Sequence, residues 1–111
     1  MEKKLRVWWM PQVGANATFY VPVASVEQAR RVMDILAAYD CFQYNHNIKP
    51  DYCNCGGLQM LDDETGEWEE WYMEDAEYYY DDVDIYCDEY SDQRDELKAF
   101  TKEILSQVHF D

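Results

Sequence analysis

Apolar and polar positions alternate in short runs at the start of the chain and then at helical spacing. Leu5 to Met10 is apolar and aromatic up to Pro11, which cannot donate to a ladder, so the pattern predicts a first strand ending near Pro11. Gly14-Ala-Asn16 supplies turn residues, and Thr18 to Val23 predicts a second strand paired with the first as a hairpin. Successive side chains of a strand point to opposite faces, so of the adjacent Trp8 and Trp9 one enters the core and the other covers something else. Ser25 followed three residues later by Gln28 is a capping box. Val26, Ala29, Val32, Met33, Leu36 and Ala37 then share one face of a helix predicted over Val26 to Tyr39, with Arg30, Arg31 and Asp34 on its solvated side.

Tyr39 to Gly57 reads as an irregular loop, punctuated by Asn45, Asn47, Pro50, Asn54 and the Gly56-Gly57 pair. Leu58 to Leu61 and Glu67 to Met73 bracket the polar connector Asp62-Asp-Glu-Thr-Gly66, which predicts a second hairpin with Gly66 in the left-handed position. Glu74 to Tyr90 fits either a strand around Val83 to Cys87 or an irregular acidic segment. Ser91 or Asp92 caps a final helix, in which Leu97, Phe100, Ile104 and Val108 repeat at three- and four-residue steps and Lys98 and Lys102 lie outside. The order ββα, loop, ββ(β), α predicts an α+β fold: a small, mainly antiparallel sheet with two helices packed on one face. Residues 1–111 form a single domain, since so short a chain supports one core.

Charge changes this picture most between Asp51 and Gln93. That segment holds sixteen Asp and Glu and no Lys or Arg, a formal −16, whereas nine basic against eight acidic residues elsewhere leave +1. Disordered acidic tracts are poor in aromatics, and this one carries nine rings, so it is expected to fold. Phosphate affinity comes from Lys and Arg, so the field excludes direct nucleic-acid binding and favours a basic partner surface. The start Met1-Glu-Lys-Lys-Leu-Arg lacks a signal-peptide core, and no segment approaches the roughly 18 apolar residues of a span. A cytoplasmic location with reduced thiols is therefore expected.

In an extended run Glu67, Glu69 and Trp71 share one face and Trp68, Glu70 and Tyr72 the other, with same-face side chains about 6.6 Å apart. Two or three such rows would approach the charge density of DNA, with one charge per about 3.4 Å on each strand. A folded surface of this kind could occupy a basic nucleic-acid-binding groove as a decoy. The plain alternative is a solvated acidic face that only keeps the protein soluble, although ordinary surfaces intersperse both signs. The candidate partner-binding residues are Asp62, Asp63, Glu64, Glu67, Glu69, Glu70, Glu74, Asp75, Glu77, Asp81, Asp82, Asp84, Asp88 and Glu89, with Tyr78, Tyr79 and Tyr80 as apolar anchors.

Other chemistry is thinly represented. Asp62-Asp-Glu-Thr-Gly66-Glu lacks the alternating ligands and the twelfth-position Glu of a calcium loop, and Asp81-Asp82-Val-Asp84 is equally unspecific. Cys53 and Cys55, with Cys41, Cys87 and His46, are weak zinc candidates, because C-x-C is not the usual knuckle spacing and only one such pair exists. Neither His46 nor His109 stands in a catalytic context, and an acidic field raises thiol pKa values. No phosphate loop or substrate-positioning motif accompanies the carboxylates. No cofactor and no enzymatic activity are expected.

Lys4-Leu-Arg-Val-Trp-Trp-Met-Pro-Gln-Val13, the strand Phe19-Tyr-Val-Pro-Val23, and Ile48-Lys-Pro-Asp-Tyr-Cys-Asn54 with Gly56-Gly-Leu58 resemble the bacteriophage and prophage superinfection exclusion proteins. The resemblance covers about the first 75 residues, including Glu-Trp-Glu-Glu-Trp71, and Glu74 to Tyr90 looks additional to it. It implies phage origin and a role in excluding or antagonising something in the host, and brings no catalytic residues. Combined with the charge, it predicts a non-enzymatic nucleic-acid mimic that blocks a host defence protein such as a CRISPR effector, a restriction enzyme or another nuclease. The alternatives are an exclusion protein acting at the membrane against penetration by a second phage, and a small metal-binding regulator.

Overall fold

The computed structural model describes residues 3–11, 17–48 and 54–108. The predicted first turn and Cys53 lie outside these residues. The chain forms the strands β1 (Leu5–Met10) and β2 (Phe19–Val23), helix α1 (Val26–Asn45), and strands β3 (Cys55–Leu61) and β4 (Trp68–Glu70). It continues through β5 (Met73–Glu74), β6 (Tyr79–Tyr80), α2 (Val83–Glu89) and α3 (Arg94–Leu105). The fold is α+β: an antiparallel sheet of order β2-β1-β3-β4 and a two-stranded β5-β6 sheet.

The register explains which side chains enter the core. Leu5 pairs with Val23 and Met60, and Val7 with Val21 and Leu58, so these apolar residues share the face that meets the helices. Val7, Leu58 and Met60 are buried with Ala29 of α1, Val83 and Cys87 of α2, and Leu97 of α3. Burying a side chain of this size contributes roughly 1.5–3 kcal/mol. The two tryptophans divide as the alternation requires. Trp9 is buried and donates to Asp40 at 3.0 Å, while Trp8 lies on the other face across Gly57.

Ser25 caps α1, accepting from the Gln28 amide at 3.0 Å, and the Gln28 side chain reaches back to the Ala24 N–H. The helix runs six residues past the predicted end at Tyr39, into the segment expected to be a loop. Asp40 and Cys41 hold the added turn inside the protein: Cys41 is fully buried, and Asp40 accepts from Trp9 and, at 2.8 Å, from Asn54. Asn47, with φ 59, stops the helix in the left-handed conformation that Asn tolerates. The second hairpin forms as predicted, its turn closed by Gly66 at φ 73 and by Asp62 accepting from the Glu64 amide at 2.8 Å.

Glu74 to Tyr90 matches neither reading offered for it. It forms the short β5-β6 hairpin and then a helix, where Asp82 accepts from the Ile85 amide at 3.0 Å as N-cap. The β-branched and aromatic content suggests a strand, but Val83, Tyr86 and Cys87 fall at helical steps and face the core. A third helix thus joins the two predicted. At the last helix the capping position is Gln93, and Ser91 instead bridges elements, accepting from the Gln93 amide at 3.1 Å and donating to Glu27 at 2.6 Å.

Candidate functional site

Arg30 is not on a solvated face. Its side chain is 7% exposed and is enclosed by three helices. Nε lies 3.3 Å from Asp34 and 3.4 Å from Asp84, Nη1 is 3.2 Å from Asp88, and Nη2 donates to Thr101 at 3.0 Å. Thr101 in turn donates to Asp34 at 2.6 Å. Burial works against the Arg30 charge, but the fields of Asp34, Asp84 and Asp88 outweigh it and hold its pKa above the ordinary value. Asp84 and Asp88, chosen from sequence as partner-binding residues, are thus partly committed to holding α2 on α1.

Other chosen carboxylates do local work. Asp62 closes the β3-β4 turn and Asp82 caps α2. Glu69 pairs with Lys3 at 3.5 Å. Asp75 closes the β5-β6 turn, accepting from the amides of Glu77 at 2.9 Å and Tyr78 at 2.7 Å and from the Tyr90 hydroxyl at 2.9 Å. The two amides, then the hydroxyl, hold its carboxyl below the usual carboxylate range. The same hydrogen bond and charge raise the Tyr90 phenol.

The side chains of Asp63, Glu64, Glu67, Glu70, Glu74, Glu77, Asp81 and Glu89 are exposed and form no hydrogen bond or ion pair with a described residue. The regular carboxylate rows expected over Glu67 to Tyr72 do not form. β4 is three residues long, Glu69 and Glu70 point to opposite faces of it, and Trp71 turns into the core at 7% exposure. A cleft of about 440 Å³ instead brings Glu70 together with Asp81, Asp82, Asp84 and Asp34, over walls that include Trp8, Trp71 and Met33. Asp62, Asp63, Glu64 and Glu67 lie at the other end of β4 and do not line it.

Beside these carboxylates the tyrosines form a connected cluster. Tyr78 stacks on Tyr80 at 6.3 Å, Tyr80 meets Tyr86 and Tyr90 at 5.8 and 5.7 Å, and Trp71 meets Tyr86 edge-on at 5.4 Å. Tyr72 stacks on Tyr79 at 6.1 Å. Tyr78 and Tyr79 remain exposed, as anchors would, while Tyr80 is half-buried and belongs to the cluster interior. Burial, with the nearby charge of Glu27, pushes Tyr86 up to about 12.

Cys41 and Cys87 are buried and Cys55 is exposed. Burial pushes the Cys87 thiol up to about 12. Among the described residues no group of three or more His, Cys, Asp or Glu is arranged to hold a metal ion. Among the same residues no helix is long and apolar enough to cross a membrane.

Sequence reasoning passed over Arg6. On the face of the sheet away from the helices its guanidinium lies 4.0 Å from the Tyr20 ring centroid and 4.1 Å from that of Trp68, and Nε donates to Gln59 at 2.8 Å. The signal was present in the alternation, which puts Arg6 beside Trp8 and Met10 on the outward side of β1. It needed the strand order to show which rings flank it.

Residues 4–95 match the protein family described as superinfection exclusion gene product 17. The chain is also 50% identical over 82 residues to the superinfection exclusion protein of Salmonella phage P22, covering 64% of this chain and 79% of that one. The family match runs through residue 95, so the tyrosine- and aspartate-rich segment from Glu74 to Tyr90 lies inside the shared region rather than being an addition to it. No solved structure matches the chain.

Proposed function

The chain belongs to the superinfection exclusion gene product 17 family, and on that premise we propose that it is a non-enzymatic exclusion protein acting through its acidic, tyrosine-bearing surface. The observation that carries this reading is the set of exposed carboxylates Glu70, Glu74, Glu77, Asp81 and Glu89, which have no partner among the described residues and share their stretch of chain with exposed Tyr72, Tyr78, Tyr79 and Tyr90. No Lys or Arg interrupts that stretch of sequence, so the field is of one sign and steers basic surfaces toward it. The partner is a host protein with a basic surface of the kind that holds nucleic acid, such as a defence nuclease. Competition works through charge density and aromatic anchoring, since the strand register that would copy a duplex is not formed.

Plating efficiency of a second phage on cells expressing the protein tests this. Replacing Glu70, Glu74, Glu77, Asp81 and Glu89 by their amides should abolish exclusion while circular dichroism stays unchanged. Exclusion that survives the replacement rules the acidic surface out.

A second reading, action at the membrane, is favoured by one feature. Ile35, Tyr39 and Phe42 of α1, with Ile104 and Val108, line an apolar groove of about 370 Å³, and Ile35, Tyr39 and Phe42 are each more than 40% exposed. Co-sedimentation of the protein with phospholipid vesicles that is lost in Phe42→Ser would favour this reading over the first.

A further inference from the structure

All three helices pack on one face of the four-stranded sheet, and no described helix or strand covers the other. That outer face has the opposite character to the acidic surface. Lys4 and Arg6 stand on it, two residues apart, with Trp8, Tyr20 and Trp68, and Glu70 is its one carboxylate within the strands.

Arg6 is held in an unusual way for a cation in a chain with 24 carboxylates. Two rings, Tyr20 from β2 and Trp68 from β4, lie against its guanidinium, and Gln59 takes Nε. The two Nη groups carry four of the five N–H donors of an arginine, and no described residue accepts from them. Glu70 shares the face, cross-strand from Gln59, yet makes no ion pair with Arg6. Stacking fixes the plane of the fork, so its free edge is pre-organised for a planar acceptor with two oxygens. Arg, Tyr and Trp are also the residues that dominate protein interfaces.

We propose that the outer sheet face is a docking surface for an acidic segment of a partner protein, whose carboxylate takes the free edge of Arg6 between Tyr20 and Trp68. Charge complementarity selects the occupant. Two cations against one carboxylate within the strands suit a single carboxylate held by geometry, whereas a polyphosphate needs many cations to bind. An apolar side chain beside the carboxylate rests on the exposed part of Tyr20, which is 46% accessible. Trp8 and Glu70 form the border between this face and the acidic cleft, but the Arg6 site itself lies outside that cleft and does not depend on the function proposed for it.

The test uses the full chain with three probes: a short fluorescein-labelled peptide of Glu, Phe, Gly and Ser, its Gln-for-Glu counterpart, and labelled oligouridylate. The acidic peptide should bind at least roughly tenfold more tightly than the other two, the ratio expected for a charge-assisted pair. Arg6→Lys keeps the charge but loses the fork and the stacking, and Tyr20→Ala removes one ring at an exposed position. Each should weaken the acidic peptide by roughly tenfold, with a thermal transition close to that of the parent, while Lys98→Gln on α3 should leave binding unchanged. The proposal is overturned if the acidic peptide does not bind, if its Gln counterpart binds equally, if Tyr20→Ala and Arg6→Lys bind it as the parent does, or if oligouridylate binds more tightly.

Discussion

Arg30 on α1 lies 3.2 Å from Asp88 on α2, and this contact joins the neutral half of the chain to its acidic segment. A segment with sixteen carboxylates and no cation of its own repels itself. One buried guanidinium from outside it takes two of those charges, Asp84 and Asp88, and with Asp34 and Thr101 ties the three helices together.

Replacing Arg30 by Met should therefore destabilise the protein by about 3 kcal/mol, the lower end for breaking a buried pair, because Asp84 and Asp88 stay wetted. Urea unfolding at neutral pH measures the loss. The deficit should shrink as the aspartates are protonated in acid.

Gly56 lies against the Trp9 ring, and a β-carbon there would overlap the ring and stand 2.8 Å from the Trp8 carbonyl oxygen. Gly56→Ala should cost about 1–3 kcal/mol, as overpacking does. It should also disturb the Trp9 to Asp40 hydrogen bond, which a shift in the Trp9 indole N–H resonance would report. Gly66→Ala meets no neighbour, so any cost there comes from its left-handed backbone alone.

Tyr86 should resist base. Its pKa is pushed from 10.0 up to about 12, so the folded state binds that proton more tightly than the unfolded state. The stabilisation is complete below the unfolded value and is lost as pH rises through about 12. An absorbance titration of the phenolate band should show Tyr86 titrating late, with Tyr80 and Tyr90 also above the ordinary value, and all three should move to the ordinary range in urea.

Asp75 gives the opposite sign. Its folded pKa lies below the ordinary value, so its contribution is present above that value and disappears as pH falls through the depressed one. In Asp75→Asn the acid side of the stability profile should flatten. Melting temperature against pH for the two proteins would show it.

Iodoacetamide should modify Cys55 in the native protein and spare Cys41 and Cys87, both fully buried, with the Cys87 thiol raised to about 12 besides. Peptide mass mapping before and after denaturation checks this.

Period-two alternation from Leu5 to Met10 and the cap at Ser25 are local signals, and both elements form where the residues place them. The end of α1 was not legible, because Asp40 breaks the apolar pattern and its burial is matched by hydrogen bonds from Trp9 and Asn54, distant in sequence. The same holds for α2. A strand-like composition folds as a helix because its Val83, Tyr86 and Cys87 face is covered by other elements and Asp82 caps its start. The charge imbalance was plain from composition, but which carboxylates are tied was not. Asp62, Asp75 and Asp82 sit at turns and a cap whose positions follow from the backbone, and Asp84 and Asp88 are tied by a residue more than fifty positions away.

By itself, then, the sequence determined the α+β class, the strand faces, and the sign of the field over residues 51–93, because these depend on periodicity and composition. Tertiary structure alone decided which charges are free. Whether a carboxylate meets a partner or a buried guanidinium, and whether Arg6 stands between two rings, depends on strand order and helix packing, which bring together side chains that sequence spacing does not relate.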